Sequence, residues 1–428
     1  MCNARQSQCC QTHWTLRLWM LSGALLFWLG SVAPVQAIEW SWSSFATLGY
    51  AVSDHDETFL RHIDRDGTFM VDSVAGTQID GHHDADFGRI GVTFQGVVRN
   101  STDRDHDLEP ALSWAFTSYR PNNDWLFRLG KFRTPVFIFT QNMEVGVTYD
   151  QARLPVEFYS ISPNFDIFGV STAYNWSALG GEMTLEGYFG ENVYSWRIFS
   201  RAAQRASYTK QDLDLNGLVL SWRDDALMLQ WGIHRGRSKI QKGQYTDTFE
   251  PRTIPAPEPV GGTLYVPVRP ISVIHTTALT FGLDWRFADQ WRLTSEYGLR
   301  IMDDMLIGVS SQGAYATLAR TIDDWTPYVS VAGLRSSKDN MQLGRMIEAT
   351  PVPLASGLPA TYHQSLVDNI NTWDQTSYML GVSYALTPTS RLKAEWMLTH
   401  VGQSSRLFDH EYSGMNDNVF SISYSWVH

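Results

Sequence analysis

The strongest constraint in this chain is a period of two. Along residues 290–301, Trp291, Leu293, Tyr297, Leu299 and Ile301 fall on one side, and Arg292, Thr294, Glu296, Gly298 and Arg300 on the other. Successive side chains of a strand point to opposite faces, so each such segment reads as a strand lying between an apolar and a wet environment. Residues 391–400 repeat the pattern, with Leu392, Ala394, Trp396 and Leu398 opposing Arg391, Lys393, Glu395 and Thr399. Residues 277–287 set Leu279, Phe281, Leu283, Trp285 and Phe287 against Ala278, Thr280, Gly282, Asp284 and Arg286. Residues 377–386 set Tyr378, Leu380, Val382, Tyr384 and Leu386 against Ser377, Gly381, Ser383 and Ala385. A soluble β-sandwich would alternate too. Here the aromatics Trp285, Trp291 and Tyr384 sit at the ends of the apolar faces, where interfacial girdles lie. The opposite faces mix charge with Gly and Ser, as a wet lumen would.

Composition agrees with a barrel in lipid. The chain has 17 Trp, 18 Tyr, 21 Phe and 32 Gly, yet its mean hydropathy is -0.22. After the N-terminal segment no stretch is long enough for a transmembrane helix. At the N-terminus, Arg5 and Arg17 precede an apolar run from Leu18 to Leu29, and Val35-Gln-Ala37 supplies a small residue at the cleavage position. This predicts a signal peptide over residues 1–37, with the barrel over 38–428. All three cysteines, Cys2, Cys9 and Cys10, fall in the removed segment, which excludes disulfides and thiolate metal sites from the mature chain. Loss of Arg5 and Arg17 moves the net charge from -11 to -13, which argues against nucleic acid as a partner.

Short connections alternate with long ones. Tight turns are expected at 121–124, 178–181, 224–225, 288–290, 322–324 and 387–390, and long polar loops at 134–164, 191–211, 237–274, 337–374 and 403–416. Fifteen strands follow the alternation directly. With both chain ends on the same side of the membrane, parity requires a sixteenth, placed at 67–74. An all-β, 16-stranded antiparallel transmembrane barrel is therefore expected, a size that leaves an aqueous channel.

One stretch breaks the pattern. Asp124 to Arg133 alternates as strand five, Pro135 ends it, and the following residues carry aromatics, prolines and charges of both signs without a strand period. Long ordered loops of this kind are usually functional. The motifs here are Gly130-Lys131-Phe132-Arg133-Thr134-Pro135, Val145-Gly146-Val147-Thr148-Tyr149 and Arg153-Leu154-Pro155-Val156-Glu157-Phe158-Tyr159. They resemble the Gly-Arg-x-Arg-x-Pro, Val-Gly-x-x-Tyr and Arg-Pro-Pro-x-Glu-x-Tyr third-loop motif of Gram-negative outer-membrane porins, departing at Lys131 and Leu154. The resemblance implies a homotrimeric, water-filled diffusion channel in the outer membrane. It also implies that loop 134–164 folds inward to narrow the pore for ions and small hydrophilic solutes.

Candidate constriction residues are Arg128, Arg133 and Arg153 facing Glu144, Asp150 and Glu157, since opposed charges across a pore sort solutes by charge. Such charges can equally pair with each other to pin the loop. By parity Arg128 points into the lumen, whereas Lys131 and Arg133 share the apolar side. They reach the pore only through a bulge near Gly130 or by standing above the lipid. The wall candidates are Glu186, Asp284, Arg286, Arg292, Glu296, Arg300, Arg391, Lys393 and Glu395. Basic residues outnumber acids among them, which predicts weak anion preference behind an acidic rim of loop residues.

Asp64-Arg-Asp66-Gly67 and Asp103-x-Asp105-x-Asp107 lack the continuation of an EF-hand, and His55, His62, His82, His83 and His106 have no zinc-motif spacing. These read as solvated loop residues, and no metal site is expected from them. No Gly-x-Ser-x-Gly elbow marks a barrel hydrolase, so no enzyme is expected. The alternative is a channel specific for a sugar, phosphate or other anionic solute, with the Pro251–Pro270 segment capping its mouth.

Overall fold

The computed structural model describes residues 38–428 except 163–165, 243–248, 256–262, 271, 304–309, 370–371 and 411–412. The expected signal peptide lies outside the described residues. Sixteen strands close into one antiparallel barrel. The first eight are β1 (Glu39–Ser53), β2 (Val74–Ala85), β3 (Gly88–Asn100), β4 (Leu108–Arg120), β5 (Trp125–Arg133), β6 (Asp166–Ala178), β7 (Gly181–Ser200) and β8 (Arg205–Arg223). After β9 (Leu227–Ile240), a separate hairpin of β10 (Phe249–Pro255) and β11 (Thr263–Pro270) interrupts the barrel sequence. The barrel resumes with β12 (Val273–Phe287), β13 (Trp291–Asp303), β14 (Ser311–Arg320) and β15 (Trp325–Ser336). It ends with β16 (Trp373–Thr387), β17 (Ser390–Ser405) and β18 (Asn416–Val427).

The alternation in the sequence becomes the two faces of the wall. On β17, Leu392, Ala394 and Trp396 are exposed outward while Lys393, Glu395, Met397 and Thr399 are buried inward. Aromatics gather on the outer face toward the short turns: Trp125 meets Tyr174 at 4.7 Å, Trp285 meets Phe287 at 4.6 Å and Trp325 meets Tyr384 at 4.5 Å between ring centroids. The barrel closes where β1 pairs with β18, from Phe45 opposite Val427 to Ser53 opposite Val419. Ser44 and His428 add reciprocal backbone hydrogen bonds of 3.1 and 2.8 Å. His428 packs its imidazole against Trp42 and Trp426.

Two expectations are corrected. The sixteenth strand is not 67–74. That stretch belongs to the loop after β1, tied down by an Ala51–Thr68 bridge, and the strand is Val74–Ala85. Its outer face carries only Ile79 as a large apolar residue, so its alternation is faint; at Gly81 the cover comes from the ring of Trp40 lying over it. The 191–211 segment is not a long loop either. β7 and β8 pair without interruption as far as Ser200 opposite Arg205. Above the apolar belt the sense of alternation inverts, with Asp212 and Asp214 outward and Leu213 and Leu215 inward, so this part of the hairpin lacks the apolar outer face of the strands below it. The 337–374 loop contains helices over Lys338–Ala349 and Tyr362–Asp368.

Candidate functional site

Pro135 halts β5 because it has no N–H to continue the ladder. The chain then runs through short helical turns at Thr140–Asn142, Gly146–Thr148 and Val156–Tyr159. Its apolar side chains, among them Val136, Phe137, Phe139, Leu154, Phe158 and Ile161, share one buried cluster with wall residues Tyr315, Leu334, Met379, Met397 and Val401. At about 2 kcal/mol per buried large side chain, these six contribute on the order of 10 kcal/mol to holding the segment in place.

Polar contacts fix its position on the wall strands β9 and β13–β18. Gln230 donates to the Pro135 carbonyl at 3.2 Å. Glu296 accepts from the Ile138 amide at 2.8 Å and from the Tyr159 and Tyr315 hydroxyls at 2.8 and 2.9 Å. The guanidinium of Arg300 donates to the Ile161 carbonyl at 2.6 Å. Lys393 gives its ammonium to the Gly146 and Gln151 carbonyls at 2.6 and 2.9 Å, over the face of Tyr149. Glu157 is fully buried and accepts from Gln375 at 2.8 Å and from Ser377. Tyr328 accepts from the Ala152 amide at 3.1 Å and donates to Glu395 at 2.7 Å. Gly313 makes room, since a Cβ there would stand 2.5 Å from Ile161 and 2.8 Å from the Glu157 carbonyl.

On its other side the segment borders a cavity of about 380 Å³. Arg99, Arg133 and Arg153 line it together with Asp72, Glu144 and Asp166. Arg133 reaches Asp166 at 2.8 Å and Glu144 at 3.1 Å, Arg99 reaches Glu144 at 2.7 Å, and Arg153 grips Asp72 with two bonds of 2.5 and 2.7 Å. Each arginine also keeps one buried nitrogen without a hydrogen-bond partner: Nε of Arg99 and Nη1 of Arg133 and of Arg153. Asp150 forms a second group with Arg391 at 3.3 Å and Arg292 at 3.7 Å, and Arg292 in turn holds Asp284 at 2.7 Å.

The structure thus brings Arg133, Glu144 and Arg153 to one cavity. Asp150 sits among Arg292, Asp284 and Arg391. Glu157, Glu296, Arg300, Lys393 and Glu395 serve as anchors between loop and wall. Arg128 stands apart, paired with Glu186 at 3.3 Å, and Arg286 is exposed near a short turn. Arg133 is buried despite its apolar parity, because it is the last residue of β5 and follows Gly130, whose φ of 132° distorts the strand. Asp72, Arg99 and Asp166 are the residues that sequence reasoning missed. Arg99 carried a signal, since it shares the parity of the buried Thr93, Gln95 and Val97. Asp72 carried none, because nothing local links it to Arg153.

Over the rim with the long connections, Arg197 of β7 bridges Asp105 at 3.0 Å and Asp409 at 2.6 Å, and Arg61 joins Asp105 at 2.8 Å. Phe59 and Phe408 pair beside them. Burial alone would raise the Asp105 carboxyl, but hydrogen bonds from Arg197, Tyr208 and Arg61 outweigh it and bring it down to about 2. Burial, then the charges of Arg61 and His106, holds His62 down to about 4. The Asp103-x-Asp105-x-Asp107 run is therefore an arginine anchor at its centre.

No known protein family matches the sequence, and no curated protein sequence matches it. Among solved structures the chain is similar in fold to OmpT, an outer membrane protein of Vibrio cholerae described in trimer form. The TM-score is 0.52 at 11% identity, covering 92% of this chain and 100% of that one. It is similar to the anion-selective porin from Comamonas acidovorans, with TM-score 0.52, 9% identity and coverage of 92% and 100%. It is also similar to Salmonella typhi OmpF, with TM-score 0.52, 10% identity and coverage of 91% and 98%. These likenesses establish a porin-like 16-stranded barrel fold.

Proposed function

We propose that this chain, exported by a signal peptide over residues 1–37, is an outer-membrane porin. Ions and small hydrophilic solutes diffuse passively through it, with no catalytic step. The observation that carries the reading is the path of residues 134–162. They bind inward-facing residues of β13–β17 and border, on their other side, a charged cavity toward β2, β3, β5 and β6. That arrangement supports an inward-folded loop narrowing the channel, with Arg99, Arg133 and Arg153 set against Asp72, Glu144 and Asp166. Opposed charges at a narrow point impose a transverse field on a passing solute. The apolar outer face and aromatic girdle support residence in lipid. A homotrimer in the outer membrane completes the proposal.

Planar-bilayer recording tests it. Stable unit conductance with weak anion preference in a salt gradient is expected, and a silent protein or clear cation selectivity overturns it. A second reading, a channel specific for an anionic solute, is favoured by the gathering of Arg99, Arg133 and Arg153 on one cavity. Concentration-dependent block by phosphate or a small carboxylate would distinguish it from a general pore.

A further inference from the structure

We propose that Asp54, His55 and Asp417 form a binding site for a divalent cation of the zinc class at the rim where the first and last strands meet. Asp54 and His55 directly follow β1, and Asp417 is the second residue of β18. One potential ligand atom from each of the three lies within 4.8 Å of the others. His55 Nε2 stands 3.5 Å from Asp54 Oδ1. Two ligands on a tetrahedral zinc with bonds near 2.0–2.1 Å are about 3.4 Å apart, so this pair is already at ligand spacing. Behind the ring, His55 Nδ1 faces Glu57 Oε2 at 4.0 Å, the direction from which a carboxylate orients a metal-binding histidine.

The second observation is independent of the clustering. Asp417 has no exposed surface; one of its oxygens accepts from the Ser53 hydroxyl, and Oδ2 is buried with no hydrogen-bond partner. A buried carboxylate oxygen without a donor is costly, and a bound cation removes that cost. The remaining ligands are held in advance. Asn418 donates its amide and side chain to the two oxygens of Asp54 at 2.9 and 2.7 Å, and the His55 amide donates to Ser53 Oγ at 3.0 Å. The nearby cation, Arg65, is directed to Asp56 at 3.3 Å and to the Asp54 carbonyl. An imidazole with two carboxylates selects zinc-class ions over calcium, whose sites are built from oxygen alone. Bound there, the ion ties the closing strands of the barrel together at the rim.

The test titrates purified, folded protein in detergent with Co²⁺, followed by visible absorption, then with Zn²⁺ as competitor, and follows thermal unfolding with Zn²⁺ or Ca²⁺. One Co²⁺ band displaced by Zn²⁺ is expected, with a rise of about 3 °C in unfolding temperature at saturating Zn²⁺ and none with Ca²⁺. His55→Ala weakens binding at least about tenfold, and Asp417→Asn does the same. Should Asp417→Asn fail to fold, His55→Ala carries the test, because His55 is partly exposed and its loss leaves Asp417 in place. Absence of a Co²⁺ band, an equal response in His55→Ala, or equal stabilisation by Ca²⁺ overturns the proposal. His62→Ala should leave the band intact; its loss there would move the site to the His62–His106 pair and overturn the assignment. Channel conductance is read separately, so failure of the metal site leaves the channel reading untouched.

Discussion

At Arg99, Arg133 and Arg153, the three arginines of the cavity, each charge pairs with an acid while one buried nitrogen is left without a hydrogen-bond partner. Arg99 is the most exposed of the three, so its removal tests selectivity with the least damage to folding. We expect Arg99→Gln to shift the bilayer reversal potential toward cations while the protein still folds and inserts. An unchanged potential would remove Arg99 from the proposed constriction. Arg133 behaves differently, because its side chain is 1% exposed between two acids. Arg133→Ala leaves Asp166 and Glu144 with Arg99 as their remaining cation and should cost about 3 kcal/mol in unfolding free energy as well as selectivity. Lys393→Met keeps the volume but withdraws charged donors from two loop carbonyls, each worth about 1.5–3 kcal/mol. Faster proteolysis within residues 134–162 and noisier single-channel current should follow.

The elements without a period are held in place by tertiary contacts of two kinds. Residues 134–162 form no strand because Pro135 ends the ladder, yet their phenylalanines and leucine pack into one buried cluster with residues of the wall strands. The mouth loops are joined instead by charge, through Asp105, Arg197, Arg61 and Asp409. Their pH response follows from the shifts. The Asp105 carboxyl lies below its ordinary value, so its contribution is complete above pH 3.8 and is lost as the pH falls through about 2. His62 lies at about 4 against 6.5, so packing of the mouth weakens progressively as pH falls from 6.5 toward 4, where the unfolded loop binds a proton that the folded one does not. Hydrogen-exchange protection of residues 54–73 and 101–107, taken relative to the intrinsic amide rate at each pH, should be highest at pH 7, lower at pH 5 and lowest below pH 3. Protection that increases on acidification from pH 7 to pH 5 would contradict this.

For the whole molecule, the alternation makes a direct prediction. The mature chain expected from the sequence has no cysteine, so single cysteines can be introduced along β16. A water-soluble thiol reagent should label protein in liposomes at Ala385, on the inward side and partly exposed, and leave Leu380, exposed on the outer face, in lipid. Equal labelling at both positions would refute the membrane barrel. Most of the architecture was legible because a strand's register is written in neighbouring residues. Fifteen of the sixteen barrel strands followed from period two, while β2 was misplaced because the ring of Trp40 covers its Gly81 from another strand. The β7–β8 hairpin was cut short because its inside and outside exchange polarity above the belt. The candidate site was legible only in part. Arg133, Glu144 and Arg153 stood out by type and motif, but their partners Asp72, Arg99 and Asp166 lie on other strands and loops.

Sequence alone therefore determined that this chain makes a barrel, roughly how many strands it has and which loop departs from the rule. Those properties depend on residues two apart. Only the tertiary structure decided which charges meet. Arg153 lies 81 positions from Asp72, and Lys393 lies 242 positions from the Gln151 carbonyl it holds. Contacts across a closed barrel are set by strand order and by the path of the loop, and no local period encodes either.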